Sequence, residues 1–139
     1  MYDIKDTLSF ILDFRKEIKK DGSVFFMEKM KQTPIIAVDF DGTLCVDVYP
    51  NIGEANDMLI CWLLKEKKKG SRIILWTCRC GKLLEEAVLW CKRQGLSFDA
   101  INENMEEITN RYGSDARKIY ADIYIDDRSD WPACAKKMS

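Results

Sequence analysis

Two pairs of aspartates are placed where they could do chemistry: Asp39 and Asp41, with one residue between them, and the adjacent Asp126 and Asp127. Each pair directly follows an apolar run. Carboxylates gathered in one place repel one another, by about 4 kcal/mol for two charges 4 Å apart at an effective dielectric near 20. A hard divalent cation would compensate this repulsion, and oxygen-only ligands favour magnesium. The alternative for each pair is a solvated strand end or a helix cap.

The composition excludes several other kinds of site. The chain has no histidine, which excludes Ser-His-Asp triads and His-ligated zinc. Its six cysteines contain no C-x-x-C pair, and their apolar neighbours predict buried thiols in a reducing compartment. The net charge of −1 argues against a general nucleic-acid binder. With no basic, apolar leader and no apolar run near ~20 residues, we expect a cytoplasmic protein without a membrane partner.

Apolar runs alternate with segments of helical periodicity, a pattern that predicts an α/β fold with a parallel sheet and helices on both faces. The 139 residues, 47% of them hydrophobic, suit one domain. The predicted strands cover residues 35–38, 72–76, 98–101 and 120–125. The predicted helices cover residues 54–69, 82–93 and 105–112, and residues 45–52 are expected to form a short loop.

The first part of the chain is predicted to be a separate helical extension, residues 1–33, before a core of residues 34–139. Apolar side chains recur at helical spacing between residues 3 and 20, and Asp21-Gly22 ends the pattern. The apolar stripe of this helix must be buried. It either packs on the sheet domain or forms a homodimer contact.

Ligands of parallel α/β sheets bind outside the carboxyl ends of the strands, so the residues that follow each strand are the candidate site. After the aspartate pairs, these are Thr77, Cys78 and Arg79 behind the second strand and Asn102 and Asn104 behind the third. Each has an ordinary alternative. Thr77 could cap a helix, the asparagines could serve turns, and the thiols of Cys78 and Cys80 could be incidental. Arg79 and Arg128 could bind an anion or form surface ion pairs.

The order of these residues resembles that of the haloacid dehalogenase-like (HAD) hydrolase superfamily. IIAVDFDGTL, residues 35–44, resembles its motif I, and Thr77 after RIILW resembles motif II. Lys118 in RKIYAD resembles the motif III lysine, and YIDD, residues 124–127, resembles motif IV. The stretch 35–128 is most similar to small capless members from bacteria and phages. The resemblance implies a three-layer α/β/α Rossmann-like fold.

The resemblance also implies a role for each residue. Asp39 would be the nucleophile that forms an aspartyl-phosphate, and Asp41 the general acid and base. Mg2+ would be held by Asp39, the Asp41 backbone carbonyl, Asp126 and Asp127, with Asp127 favoured as the direct ligand. Thr77 and Lys118 would bind the phosphoryl group and complete the catalytic set. The substrate-binding positions would be Gly42, Thr43, Arg79 and Cys78, whose backbone N–H would lie at the start of a helix.

The intervals between these motifs are too short for the cap domains that many superfamily members carry. The site should therefore be open, with residues 46–49 as a flap and Tyr49 or Arg79 able to touch the substrate. The resulting hypothesis is a magnesium-dependent phosphomonoester hydrolase acting on a phosphorylated small molecule or other phosphoester. The alternatives are a HAD-fold binding or regulatory module that retains the metal site, or a nucleotide-specific phosphatase, which the IDDR ending favours.

Overall fold

Short buried apolar runs form the strands of the central sheet. The computed structural model describes residues 33–129 and 131–132. Along the chain the elements are β1 (Ile35–Val38), β2 (Cys45–Val48), β3 (Asn51–Ala55), α1 (Asp57–Lys68), β4 (Arg72–Leu75), α2 (Gly81–Arg93), β5 (Ala100–Ile101), α3 (Glu106–Tyr112) and β6 (Ile123–Ile125). The main sheet has the order β5-β4-β1-β6, and its pairs are all parallel. The predicted α/β class with a parallel sheet is confirmed.

Each face of the sheet is covered, as expected for right-handed crossovers. On one face, Ile36 and Val38 pack with Leu59 and Leu63 of α1 and with the buried residues of α2. On the opposite face, Ala37 packs in a smaller cluster with residues that include Ile74 and Ile108 of α3. Because successive strand residues alternate between faces, β1 is buried on both sides.

The segment expected to be a short loop is a two-stranded antiparallel hairpin, so that prediction was wrong. Val48 pairs with Asn51 and Cys45 with Ala55, which extends β3 into residues predicted as helix. The helix α1 begins only at Asp57, because Asn56 is its cap: the Asn56 side-chain oxygen accepts a hydrogen bond from the Leu59 N–H at 3.3 Å.

The other predicted elements are present with shifted boundaries. The strand predicted over 98–101 is reduced to two residues, and that predicted over 120–125 begins at Ile123. The expectation of buried thiols holds for Cys45 and Cys91 but was wrong for three others, since Cys61, Cys78 and Cys80 are exposed. Cys61 faces outward from α1 beside the buried Ile60, whereas Cys78 and Cys80 lie among polar residues in the segment between β4 and α2.

Two predictions concern parts of the chain that are not described. The amphipathic helix over residues 3–20, with its proposed dimer contact, and Cys134 both lie outside the described residues, so the division at residue 33 stays a prediction. Within residues 33–129 and 131–132, no helix combines the length and apolar character needed to cross a membrane.

Candidate functional site

A cavity of about 290 Å³ opens at the carboxyl edge of β1, β4 and β6. It is lined by Ala37, Asp39, Trp76, Thr77, Cys78, Tyr124, Ile125, Asp126 and Asp127. The sheet register explains this gathering, because Val38 at the end of β1 lies opposite Leu75 in β4 and Ile125 in β6. The next residue of each strand therefore reaches the same edge. Five of the ten predicted site residues are in this cavity.

Asp39 occupies the centre of the edge. Its backbone N–H donates to the Ile125 carbonyl at 2.9 Å, which fixes it one step beyond the paired part of β1. The pKa of Asp39 is raised from 3.8 to about 6, mainly by burial and also by the nearby charges of Asp127, Asp41 and Asp126, while the hydrogen bond from the Phe40 N–H opposes the shift. Asp39 thus has the environment of a carboxylate that lacks a compensating cation.

The two acids after β6 differ in how far their oxygens are engaged. One carboxylate oxygen of Asp126 accepts a hydrogen bond from the Arg128 N–H at 2.7 Å, in a turn that the Ser129 hydroxyl and Trp131 indole also support. Asp127 is exposed, and within the described chain its carboxylate accepts no hydrogen bond. Its oxygens are free for another partner.

The chemistry of this donor set fits magnesium, which prefers hard oxygen ligands. Burial and the neighbouring carboxylates raise the pKa of Asp39, and the Phe40 N–H compensates its negative charge only in part. The described side chains nevertheless form no group of three or more acids or thiols close enough to hold one ion. Asp39 and Asp127 would hold the ion, with water completing its coordination, as magnesium usually keeps several waters.

Thr77 and Cys78 follow β4 at the wall of the cavity. The Thr77 hydroxyl oxygen accepts a hydrogen bond from the Arg79 N–H at 3.1 Å, which leaves the hydroxyl hydrogen available to an anion. The Thr77 N–H is used, since it donates to the Asn102 side-chain oxygen at 2.8 Å. Because α2 begins at Gly81, Cys78 does not lie at a helix start, and that expectation was wrong.

Asp41 has a different environment from Asp39. Both of its carboxylate oxygens accept hydrogen bonds from the Arg79 guanidinium, each at 2.8 Å. The Arg79 side chain is fully buried, whereas the Asp41 side chain is 17% exposed. The hydrogen bond to Asp41 raises the pKa of Arg79 above its usual value. Asp41 is thus compensated by the protein and does not line the cavity with Asp39.

The hairpin holds Arg79 in this position. The guanidinium donates to the backbone carbonyls of Pro50 at 3.1 Å and Asn51 at 2.9 Å. It also lies over the rings of Phe40 and Tyr49, 5.0 and 5.2 Å from their centroids. A surface ion pair was one expectation for Arg79, and it was wrong, because the pair with Asp41 is internal.

Gly42 and Thr43 complete the turn after the motif I aspartates. Gly42 has a φ of +78°, a left-handed conformation that favours glycine, and a Cβ there would lie 3.5 Å from the Cβ of Asp127. Thr43 is fully buried, and its hydroxyl makes no hydrogen bond with the described residues. Gly42 therefore lies beside the cavity, whereas Thr43 points into the protein.

Lys118 lies outside the cavity, on an exposed loop before β6. Asn104 organises this loop: its side chain donates to Asp115 at 2.9 Å and to the Lys118 carbonyl at 3.3 Å, and accepts from the Tyr120 N–H at 2.7 Å. The structural role weighed for Asn104 is thereby confirmed. The phosphate-binding role of Lys118 stays a prediction.

The fold and this edge define an α/β protein with a Rossmann-like parallel sheet and a cavity at the carboxyl ends of its strands. No family model matches the sequence, and no curated protein matches it. Among solved structures, the chain is similar to a conserved protein from Bacteroides thetaiotaomicron. The two are 41% identical with a TM-score of 0.63, over 70% of this chain and 78% of that one. The chain belongs to the same family as that protein.

Proposed function

We propose that this protein is a magnesium-dependent phosphomonoester hydrolase of the capless HAD type. The observation that carries the proposal is the setting of Asp39, a part-buried carboxylate with a raised pKa in a cavity that also contains Thr77, Asp126 and Asp127. An ionised aspartate here is a nucleophile whose charge can be balanced only by a ligand. The cavity is large enough for a phosphoryl group and part of its leaving group.

Asp39 acts on the phosphorus atom. Its carboxylate oxygen forms a bond to phosphorus as the ester oxygen leaves, which gives an aspartyl-phosphate and a free alcohol. Water then hydrolyses this acyl phosphate, releasing inorganic phosphate and regenerating Asp39. Asp39, the Asp41 carbonyl oxygen and Asp127 would hold a magnesium ion, with Asp126 in support, and the ion would neutralise charge between carboxylate and phosphate. The Thr77 hydroxyl donates to a phosphoryl oxygen.

Asp41 is the acid and base of this scheme, and Arg79 limits when it can act. To protonate the leaving oxygen, Asp41 must release at least one of its two hydrogen bonds from the guanidinium. The same carboxylate later takes a proton from the attacking water. Substrates whose leaving oxygen needs no proton are therefore expected to react fastest.

The proposal is tested by phosphate release from p-nitrophenyl phosphate with magnesium or with a chelator. We expect turnover only with magnesium, and a loss of at least about 10³-fold in Asp39→Asn. Asp57→Asn is the matched control, because Asp57 is an exposed acid in the first turn of α1 and should leave the rate unchanged. Equal rates for Asp39→Asn and wild type, or no release from a broad panel of phosphate esters, would contradict the proposal.

The binding module remains a second candidate because of one observation. With both oxygens of Asp41 held by a fully buried arginine, the acid and base of the reaction is not free in this conformation. A protein fixed in this state would bind magnesium and an organic phosphate without turning it over. Calorimetry with p-nitrophenyl phosphate and magnesium separates the two candidates: binding without phosphate release supports the module, and release supports the hydrolase.

A further inference from the structure

The cavity that contains Asp39 has an aromatic wall that the proposed chemistry does not use. Trp76 and Tyr124 line it, with their ring centroids 5.9 Å apart and their planes at 54°. Trp76 directly follows three fully buried residues of β4, yet 41% of it is exposed. A large apolar ring left open at the mouth of a cavity suits contact with a ligand.

The sheet geometry places this wall next to Asp39. In the parallel register, Ala37 lies opposite both Ile74 and Tyr124. Side chains two residues apart on a strand share a face, so Asp39 and Trp76, each two residues further toward the carboxyl edge, lie on the same face as Ala37 and Ile74. Neighbouring strands lie about 4.8 Å apart, so the indole begins one strand spacing from the nucleophile. Ala37 contributes only a methyl group to this face between β4 and β6, so the rings of Trp76 and Tyr124 meet across it and form one apolar wall of the cavity.

Tyr124 is a fixed part of the wall. Its hydroxyl donates to the Ile119 carbonyl at 2.5 Å and accepts from the Ala121 N–H at 3.0 Å. With both hydrogen-bonding roles of the hydroxyl filled, the ring is held in place and presents only its apolar surface to the cavity. Trp76 has no hydrogen bond from its indole N–H to the described residues.

We propose that the substrate is a phosphomonoester whose leaving group carries a planar aromatic ring, which stacks against Trp76 while the phosphate lies at Asp39. This inference rests on the proposed function, since it names the substrate class of the same cavity. The shared chemistry is the ring itself, which an aryl-alkyl phosphate or a nucleoside monophosphate would provide. Stacking on a protein ring tolerates many bases because each has a π-face.

The test compares benzyl phosphate with cyclohexylmethyl phosphate, which has a similar size and a similar alcohol leaving group but no aromatic ring. We expect the wild type to have a KM for the benzyl ester roughly 3- to 10-fold lower, a range typical of one aromatic contact. Trp76→Leu should bring the two KM values together with little change in kcat, whereas Trp76→Phe should keep the preference. The same comparison of KM values between adenosine 5′-monophosphate and ribose 5-phosphate tests whether a nucleobase can provide the ring.

Tyr112→Leu is the control, because Tyr112 is 65% exposed and lies outside the cavity. It should leave the KM ratio as in the wild type. An equal KM ratio in wild type and Trp76→Leu overturns the inference. If neither ester is hydrolysed, the dissociation constants of the same two esters, measured by calorimetry, decide the inference by the same ratio, while phosphate release from p-nitrophenyl phosphate and the broader panel decides the hydrolase activity separately.

Discussion

Asp39 and Asp41 are two residues apart in one turn and have opposite electrostatic environments. Asp39 faces a cavity in which the other nearby charges are carboxylates, and its pKa is raised to about 6. Asp41 faces inward and shares two hydrogen bonds with a buried arginine. The first charge is left for a ligand to balance, and the second is balanced by the fold. The difference separates a residue poised for chemistry from one whose availability is controlled by the hairpin.

The largest expected effect on the free energy of unfolding concerns Asp41, whose charge Arg79 balances. Arg79→Leu leaves the part-buried Asp41 without its partner, so we expect the free energy of unfolding to fall by about 3–5 kcal/mol in urea denaturation. The double variant with Asp41→Leu should recover much of this loss, since it removes both charges. Lys69→Leu, which removes a surface partner of Glu66, should cost less than about 1 kcal/mol. If Arg79→Leu and Lys69→Leu lose the same free energy of unfolding, the internal pair of Arg79 with Asp41 contributes no more than a surface pair, and the prediction is contradicted.

The unbalanced charge of Asp39 predicts that the stability of the protein depends on pH. In metal-free protein the pKa of Asp39 is about 6 when folded against 3.8 as the ordinary value, so the folded state binds more protons between these limits. The free energy of unfolding should therefore fall as pH rises from about 4 to 6, by up to about 2 kcal/mol because solvent screens the part-exposed carboxylate, and this contribution is lost above the folded pKa.

Asp39→Asn is the variant that isolates this effect. It removes the titrating group, so its unfolding free energy should lack that fall and exceed that of the metal-free wild type at pH 7.5. Denaturant titrations at several pH values in the presence of a chelator measure both. A wild-type profile parallel to that of Asp39→Asn would show that the Asp39 charge is already balanced.

Magnesium should stabilise the protein through the same acids. At ten times its dissociation constant, a ligand specific to the folded state adds roughly 1.4 kcal/mol, which for a domain of this size raises Tm by about 3–6 °C. The shift should disappear in Asp39→Asn and persist in Asp57→Asn. An unchanged shift in Asp39→Asn would place the ion elsewhere.

The last prediction concerns Gly42, which lies in the turn that joins Asp39 and Asp41 to the hairpin. Gly42→Ala should cost about 1–2 kcal/mol, because alanine is strained at a φ of +78° while its Cβ finds only an ordinary contact with Asp127. Gly113→Ala provides the matched strain, at a φ of +77° with nothing within 4 Å of the new Cβ. The difference between the two losses of unfolding free energy measures the effect of the contact with Asp127. If this difference exceeds the loss in Gly113→Ala, the new Cβ at position 42 clashes with Asp127.

Much of the cavity could be predicted from the sequence, because it depends on where buried strands end. Asp39, Thr77 and Asp127 each follow an apolar run, and parallel pairing brings such positions to one edge. The hairpin of β2 and β3 could not be predicted, because its strands are largely exposed and contain no continuous apolar run, and because helical spacing in residues 54–69 hides the cap at Asn56. The Arg79 pair could not be predicted, since it joins positions 38 residues apart and depends on carbonyls that the missed hairpin supplies.

The most direct test of the central claim, that Asp39 is the nucleophile, is to trap its phosphorylated form. Wild-type protein incubated with p-nitrophenyl phosphate and magnesium is quenched with borohydride, which reduces an aspartyl-phosphate to homoserine, and its peptides are sequenced by mass spectrometry. The account predicts homoserine at position 39 and at none of positions 41, 126 and 127. Turnover with an unmodified Asp39, or reduction at another aspartate, would contradict it.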